Sequence, residues 1–530
     1  MLVLILLMTS TTLGFAQEVN NVSIENVILL VPDGTRVDSI TLTRWYNGGG
    51  PLAMDEMACG LVRTYNSDSP IADSAPSANA MATGFKSKTG FIGVLPDENT
   101  MPTLAPLADG DARKPVASVL EAAKLAGKAT GLVSTSEVMH ATPAAFSAHY
   151  PDRSNYDVLS KHMVYNNIDI VFGGGYNFMV AEGRKDDADM LSILNERGYD
   201  ILTSKYDLEN FDGDKAWGLF ANESLPYAFD NDGSSPTLAA MTEKAIETLS
   251  KDEDGFFLLV EGSKIDWASH ANDPIGIISD LLDFDNAVDV ALNYAKNNQD
   301  TVVIVAPDHG NGGISIGHSN LDKGYDKEPL SSFLDPLKAA KLTGEGIAAK
   351  FDSERTNIVE VMAEYYGITD LTEDEIEEIK EAKLSSMNYT VGPMISKRAN
   401  IGWTTTGHTG EDVVLYIYSP DNDRLTGVVE NTDIAHYMAK KLGVSLIETT
   451  ESLFVPARQA FEDIGADVIW SVPIKHSPVV TVTKDNNILE LFIHTNKAAF
   501  NGEDVEFDGV IVFNGLKTFV PIEALNLFNQ

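Results

Sequence analysis

Asn26-Val-Ile-Leu-Leu-Val-Pro-Asp-Gly34 is an unbroken aliphatic run that stops at an acidic turn. A strand without polar alternation is buried on both faces, as in a parallel sheet covered by helices. An acidic residue just past such a strand stands at the edge where open α/β sheets bind ligands, although a plain Asp-Gly turn looks the same. The pattern recurs twice. Phe256-Phe-Leu-Leu-Val260 runs into Glu261-Gly262, and Thr301-Val-Val-Ile-Val-Ala306 runs into Pro307-Asp308-His309. Turn chemistry explains one such ending. Three at the same topological edge predict a metal cluster built on a parallel sheet. Asp266 and His270 follow the second run at i, i+4 spacing, which places carboxylate and imidazole on one helix face, able to grip one ion.

Working outward, strand-like runs at 130–134, 168–172 and 412–418 alternate with helical patterns at 115–126, 187–196, 237–249 and 432–441. The fold class predicted is α/β, with a doubly wound, mostly parallel central sheet and helices on both faces. Residues 71–88, IADSAPSANAMATGFKSK, place Ser74 at the start of a small-residue helix. Unpaired N–H groups and the helix dipole favour an anion there. Asp73 and Ser74 as simple helix caps are the plainer alternative.

The chain has 530 residues, 38 basic against 78 acidic, for a net charge of −40. Such a surface repels nucleic acid and anionic membranes, so neither is an expected partner. An anionic substrate then needs a local positive site from metal ions or arginine. Residues 1–16 resemble a secretory signal peptide, although no Lys or Arg precedes the apolar run. That run is too short to span a bilayer. The single cysteine, Cys59, excludes an intramolecular disulfide. Export to the cell envelope or medium is the expectation.

The catalytic part is predicted over 20–448, with a helical insertion at about 313–400 whose acidic run, 372–383, is a solvated helix face. From about 451 to 530 the texture becomes that of a small β-rich module. Leu453-Phe-Val-Pro-Ala and Thr518-Phe-Val-Pro-Ile echo each other there. His476 and His494 show no ligand pattern and are read as packing or surface residues.

The candidate residues are Asp33, Ser74, Thr142, Arg153, Glu261, Asp266, His270, Asp308, His309 and His408. Mixed carboxylates and imidazoles suit zinc, and carboxylate with hydroxyl oxygen suits magnesium. Arginine offers a fork for phosphoryl oxygens. Asp33-Gly34, Asp73-Ser74-Ala75, Ala141-Thr142-Pro143 with Arg153, Glu261-Gly262 with Asp266 and His270, Asp308-His309, and Gly407-His408-Thr409-Gly410 together resemble the alkaline phosphatase family. The resemblance implies a metal-dependent phosphate monoesterase in which Ser74 becomes phosphoserine and Arg153, steadied by Asp73, clamps the phosphate. It implies two Zn²⁺, one held by Asp266, His270 and His408 and one by Asp33, Asp308 and His309. It also implies one Mg²⁺ held by Asp33, Thr142 and Glu261, and a homodimer. His140 and Trp267 stand at positions that vary in the family, as in marine and cold-active bacterial members. His140 is expected to reach the magnesium through water. The C-terminal segment resembles a copper amine oxidase N-terminal-like module without a visible copper site, and an attachment or spacer role at the cell surface is the expectation. Competing readings are a phosphodiesterase or sulfatase of the same superfamily, or an envelope-binding protein with inactive metal sites. Ala75-Pro76 does not fit the sulfatase motif, and Thr142 with Glu261 speaks against the phosphodiesterases.

Overall fold

The structure is a computed structural model that describes residues 24–321, 323–471 and 478–529. The predicted signal peptide and His476 lie outside the described residues. Ten strands form the central sheet: β1 (Asn26–Pro32), β2 (Ala58–Arg63), β3 (Ala129–Glu137), β4 (Ile170–Gly174), β5 (Asp200–Leu202), β6 (Ala216–Leu219), β7 (Phe256–Gly262), β8 (Thr301–Val305), β9 (Val413–Tyr418) and β10 (Gly427–Glu430). Their spatial order is β10-β2-β9-β8-β1-β7-β3-β4-β6-β5. All neighbours pair in parallel except β9, which is antiparallel to both β8 and β2.

Every residue of β1 is buried, and its side chains alternate between two cores. Ile28 and Leu30 pack into one helical layer, while Val27, Leu29 and Val31 pack into the other. That division is the doubly wound arrangement, and it explains why β1, β7 and β8 are apolar at consecutive positions. The edge strand β10 and its neighbour β2 are largely exposed and carry no long apolar run, so sequence patterning passes over them.

One helix differs from expectation. The segment predicted from 115 is helical only over Val119–Leu125, because Ser118 and Glu121 form a reciprocal capping box. Pro115 instead bridges to Val94. The insertion supplies helices Ser331–Ala339, Ile358–Tyr365, Glu373–Glu381 and Met387–Arg398, which continue one face of the core through Leu337, Met362 and Ile395.

The C-terminal module contains a five-stranded antiparallel meander, β11 (Asp467–Ser471), β12 (Val479–Lys484), β13 (Asn487–Phe492), β14 (Lys497–Phe500) and β15 (Glu503–Glu506). The two echoing motifs meet in a smaller sheet, where Val455 pairs with Val520 and Pro456 with Phe519. The module docks through Leu453, Phe454, Val510, Val512 and Phe519 against Ala117 and Tyr165. A paired contact from Arg197 to the Glu506 carboxylate, 3.2 Å at each oxygen, adds to the junction.

Candidate active site

Sheet register brings the acidic strand ends together. Val31 lies beside Glu261, and Leu30 beside Val305, so Asp33, Glu261 and Asp308 leave the same edge. The turn after β1 is tight, with the Gly34 N–H donating to Asp308 Oδ1 at 3.1 Å. Gly34 sits at φ +66°, and a Cβ there would stand 2.5 Å from Asp266 Oδ1. Only glycine lets the turn pass so close beneath the next ligand helix.

Asp266 and His270 share a short helix, Lys264–His270. Asp266 Oδ2 is 3.3 Å from His270 Nε2, and Asp266 Oδ1 is 3.6 Å from His408 Nε2. The two Nε2 atoms are 3.1 Å apart. Each ring donates Nδ1–H to a backbone carbonyl at 2.7 Å, His270 to Thr406 and His408 to Ala72. That tautomer turns both Nε2 lone pairs toward one point, as metal-binding histidines require.

A second group adjoins the first. His309 Nε2 lies 3.1 Å from Asp308 Oδ2 and 3.6 Å from Asp33 Oδ1. The His309 ring stacks on His408 at 3.8 Å. Candidate ligand atoms of Asp33, Asp308 and His309 fall within 4.8 Å of one another, as do those of Asp266, His309 and His408.

Deeper in the sheet, Asp33, Glu261 and Thr142 are wholly buried. Among the described residues, neither carboxylate has a hydrogen-bond partner on either oxygen, and the Thr142 hydroxyl has none. Unpaired buried carboxylates are costly, and a hard cation bound by oxygen ligands removes that cost. Burial, then the charge of Asp308, pushes the Asp33 carboxyl well above its ordinary range. Burial likewise pushes Glu261 up to about 7. Asp266 goes the other way. Burial raises it, but His270, His309 and His408 outweigh that and hold it well below the usual value. The donor chemistry fits zinc at the two imidazole-bearing groups and magnesium at the oxygen-only group.

Ser74 opens the helix Ser74–Thr83, and its Oγ lies 3.2 Å from His309 Nε2. Asp73 makes no side-chain capping bond, so the plain capping reading fails. Its Oδ1 accepts Arg153 Nη1 at 2.7 Å, and its Oδ2 accepts the Gly90 N–H at 3.1 Å. Arg153 Nη2 meets His140 Nε2 at 3.1 Å, and the His140 ring meets Trp267 edge-on at 5.9 Å. Burial, then the Arg153 charge, pulls the His140 imidazole down to about 3, leaving it a neutral acceptor for the guanidinium. Ser74, Arg153, His140, Trp267 and His270 line one cleft of about 430 Å³.

The alkaline phosphatase family model matches residues 24–444. The chain belongs to the alkaline phosphatase family. A copper amine oxidase N-terminal domain model matches residues 438–527. Alkaline phosphatase 4 of Bacillus subtilis is 35% identical over 446 residues, covering 81% of this chain and 90% of its own length. Alkaline phosphatase 3 of the same organism is 36% identical, covering 80% and 90%. Among solved structures, the cold-active alkaline phosphatase of a psychrophilic Shewanella superposes with TM-score 0.68 at 29% identity, over 79% of this chain and 99% of that one. The Thermus thermophilus enzyme superposes with TM-score 0.70 at 26% identity, over 81% and 95%. Membership in this metal-dependent family makes the chain a phosphoric monoester hydrolase. No helix among the described residues is long and apolar enough to cross a membrane.

Two buried residues beside this alkaline phosphatase site escaped the sequence reading. Asn311 donates Nδ2–H to Asp266 Oδ1 at 2.7 Å and to the Asp266 carbonyl at 3.1 Å, fixing that carboxylate's orientation. Lys264 is fully buried, donates to the Leu225 carbonyl at 2.8 Å and pairs with Glu345 at 3.2 Å, tying the ligand helix to the insertion. Asn311 stands two residues past His309, a proximity that was available as a signal. Lys264 gave none, since an isolated lysine reads as surface.

Proposed function

We propose that the protein hydrolyses phosphate monoesters by transferring the phosphoryl group to Ser74 and then to water. One observation carries the reading: the Ser74 hydroxyl stands at a helix N-terminus against His309, with the Asp73-held guanidinium of Arg153 across the same cleft. The helix N–H groups and Arg153 meet the phosphoryl oxygens and orient them for in-line attack by Oγ. Asp73 keeps the guanidinium in place, so less of its freedom is lost on binding.

Asp266, His270 and His408 would hold one zinc, Asp33, Asp308 and His309 a second, and Asp33, Thr142 and Glu261 a magnesium. When bound, such ions lower the pKa of a coordinated hydroxyl and stabilise charge on the attacking and leaving oxygens. His140 presents its neutral Nε2 to Arg153 and, with Trp267, walls the cleft.

The same reading proposes a signal peptide at 1–16 with export, a catalytic domain over 20–448 carrying the insertion at about 313–400, an accessory domain over 451–530 and a homodimer. A variant of the Antarctic TAB5 alkaline phosphatase with one histidine changed to aspartate is described with Mg in its M3 site, which supports magnesium as the third ion here. The test is release of p-nitrophenol from its phosphate monoester and from its bis-ester, each with and without chelator. Monoester turnover that chelation abolishes supports the proposal. Preference for the bis-ester favours a phosphodiesterase, and no chelator-sensitive turnover favours a binding protein.

A further inference from the structure

His494 belongs to the C-terminal module, yet it reaches into the catalytic domain. It lies in the turn between β13 and β14 at φ +66°, a left-handed conformation in which histidine is over-represented. The turn is well held. The His494 N–H donates to the Ile511 carbonyl at 2.8 Å, and Thr495 Oγ1 donates to the Phe492 carbonyl at 2.7 Å.

From that turn, His494 Nδ1 lies 2.8 Å from Nε2 of His162, a fully buried residue of the helix Tyr156–Tyr165. His162 Nδ1 accepts the backbone N–H of His149 at 3.0 Å. The His162 proton is therefore on Nε2 and is donated to His494. His149 is gripped again through its ring, by the Gly93 carbonyl at 2.7 Å and the Glu121 carboxylate at 2.8 Å. The next residue, Tyr150, meets the His494 ring edge-on at 5.7 Å and exchanges backbone hydrogen bonds with Ile92. Three residues on, the Arg153 N–H donates to the Gly90 carbonyl at 2.8 Å, and the Gly90 N–H donates to Asp73.

We propose that His494 is a positioning residue for phosphate binding, setting through His162 and the 149–153 backbone where the Arg153 guanidinium stands. The inference rests on the reading of Arg153 as the phosphate clamp. Burial, with the Lys161 charge behind it, holds the His494 imidazole down at about 3, and burial holds His162 well below its ordinary value. Both rings therefore stay neutral at neutral and alkaline pH, and the donor sequence persists. The module is part of the scaffold of the phosphate site.

The test is a double-mutant cycle in the full-length protein, read as the inhibition constant of inorganic phosphate and the KM for p-nitrophenyl phosphate. His494→Gly removes the acceptor at a backbone angle that glycine prefers. His494→Asn keeps an acceptor at the δ position and tolerates the same angle. The glycine variant should weaken phosphate roughly three- to ten-fold, with the asparagine variant within about two-fold of wild type. In an Arg153→Ala background, His494→Gly should have no further effect, because its influence passes through Arg153. An unchanged phosphate constant in His494→Gly, or the same fold-loss in both backgrounds, overturns the inference. Arg153→Ala that itself leaves phosphate affinity intact overturns the clamp reading instead. Unchanged thermal unfolding shows the module still docked. Should the glycine variant unfold early, His162→Leu breaks the same link from the catalytic side and is judged by the same cycle.

Discussion

Gly34→Ala puts the closeness of the first strand turn to the ligand helix under a direct test. At φ +66° a Cβ would stand 2.5 Å from Asp266 Oδ1 and 2.9 Å from Asp266 Cα. The left-handed backbone alone costs an alanine about 1 kcal/mol. Ordinary contact begins at 3.4 Å, so the carboxylate must withdraw by about 0.9 Å. Overpacking of that kind costs about 1–3 kcal/mol, giving a total of about 2–4 kcal/mol. The displaced group is a ligand candidate that Asn311 holds in orientation, so the damage should concentrate at the site. We expect kcat/KM to fall roughly 100-fold and zinc to dissociate more readily, by analogy with ångström-scale misplacement elsewhere. The assays are urea unfolding, zinc content after dialysis and p-nitrophenyl phosphate turnover. A variant of wild-type stability that keeps its zinc and full turnover would refute the reasoning.

Other perturbations separate the roles of the remaining groups. Ser74→Ala should abolish turnover while zinc content stays near that of wild type, and loss of zinc would show that Ser74 is needed to hold the ion. His408→Ala should empty one zinc position and spare the other, with elemental analysis reading half the zinc; full occupancy would remove His408 from the ligand set. Asp280 is buried, accepts from the Ala228 N–H at 3.2 Å and from Ser279 Oγ at 3.0 Å, and is pushed up to about 8 by burial against the opposing charge of Lys264. A raised folded-state value means its stabilising neutral form is fully present below about pH 4 and is lost as pH rises through about 8. Asp280→Asn should therefore come closest to wild type in urea near pH 4, with an advantage that grows as pH rises and is at least about 2 kcal/mol larger at pH 9. Equal differences at pH 4 and pH 9 would show that the charge is not confined.

The parallel core was legible because β1, β7 and β8 are buried on both faces and so carry apolar residues at four or more consecutive positions. The same burial made Asp33, Glu261 and Asp308 conspicuous, since an acid at the end of such a run has no cheap place to sit. The outermost pair β10 and β2 was illegible for the converse reason: β10 keeps Gly427 and Val428 in solvent and β2 alternates irregularly. Asp73 illustrates a different limit. An aspartate before a helix looks like a cap, and its pairing with Arg153, 80 positions away, was expected from the family resemblance alone, since no local pattern carries it. His494 is the extreme case, read as a packing or surface residue for want of a ligand pattern, while its partner His162 is 332 positions distant. Local patterns reveal which faces are buried, whereas polar pairs joined by chain crossings leave no periodic trace.

The central claim, that strand-end acids and imidazoles gather cations around a serine that accepts phosphate, meets its most direct measurement in phosphopeptide mass spectrometry. Metal-loaded enzyme is mixed with p-nitrophenyl phosphate at mildly acidic pH, quenched in strong acid and digested, beside a chelator-stripped control. The account predicts phosphate on Ser74 in the loaded sample and none in the stripped one. Steady turnover with an unmodified Ser74, or with phosphate on another residue, would contradict it.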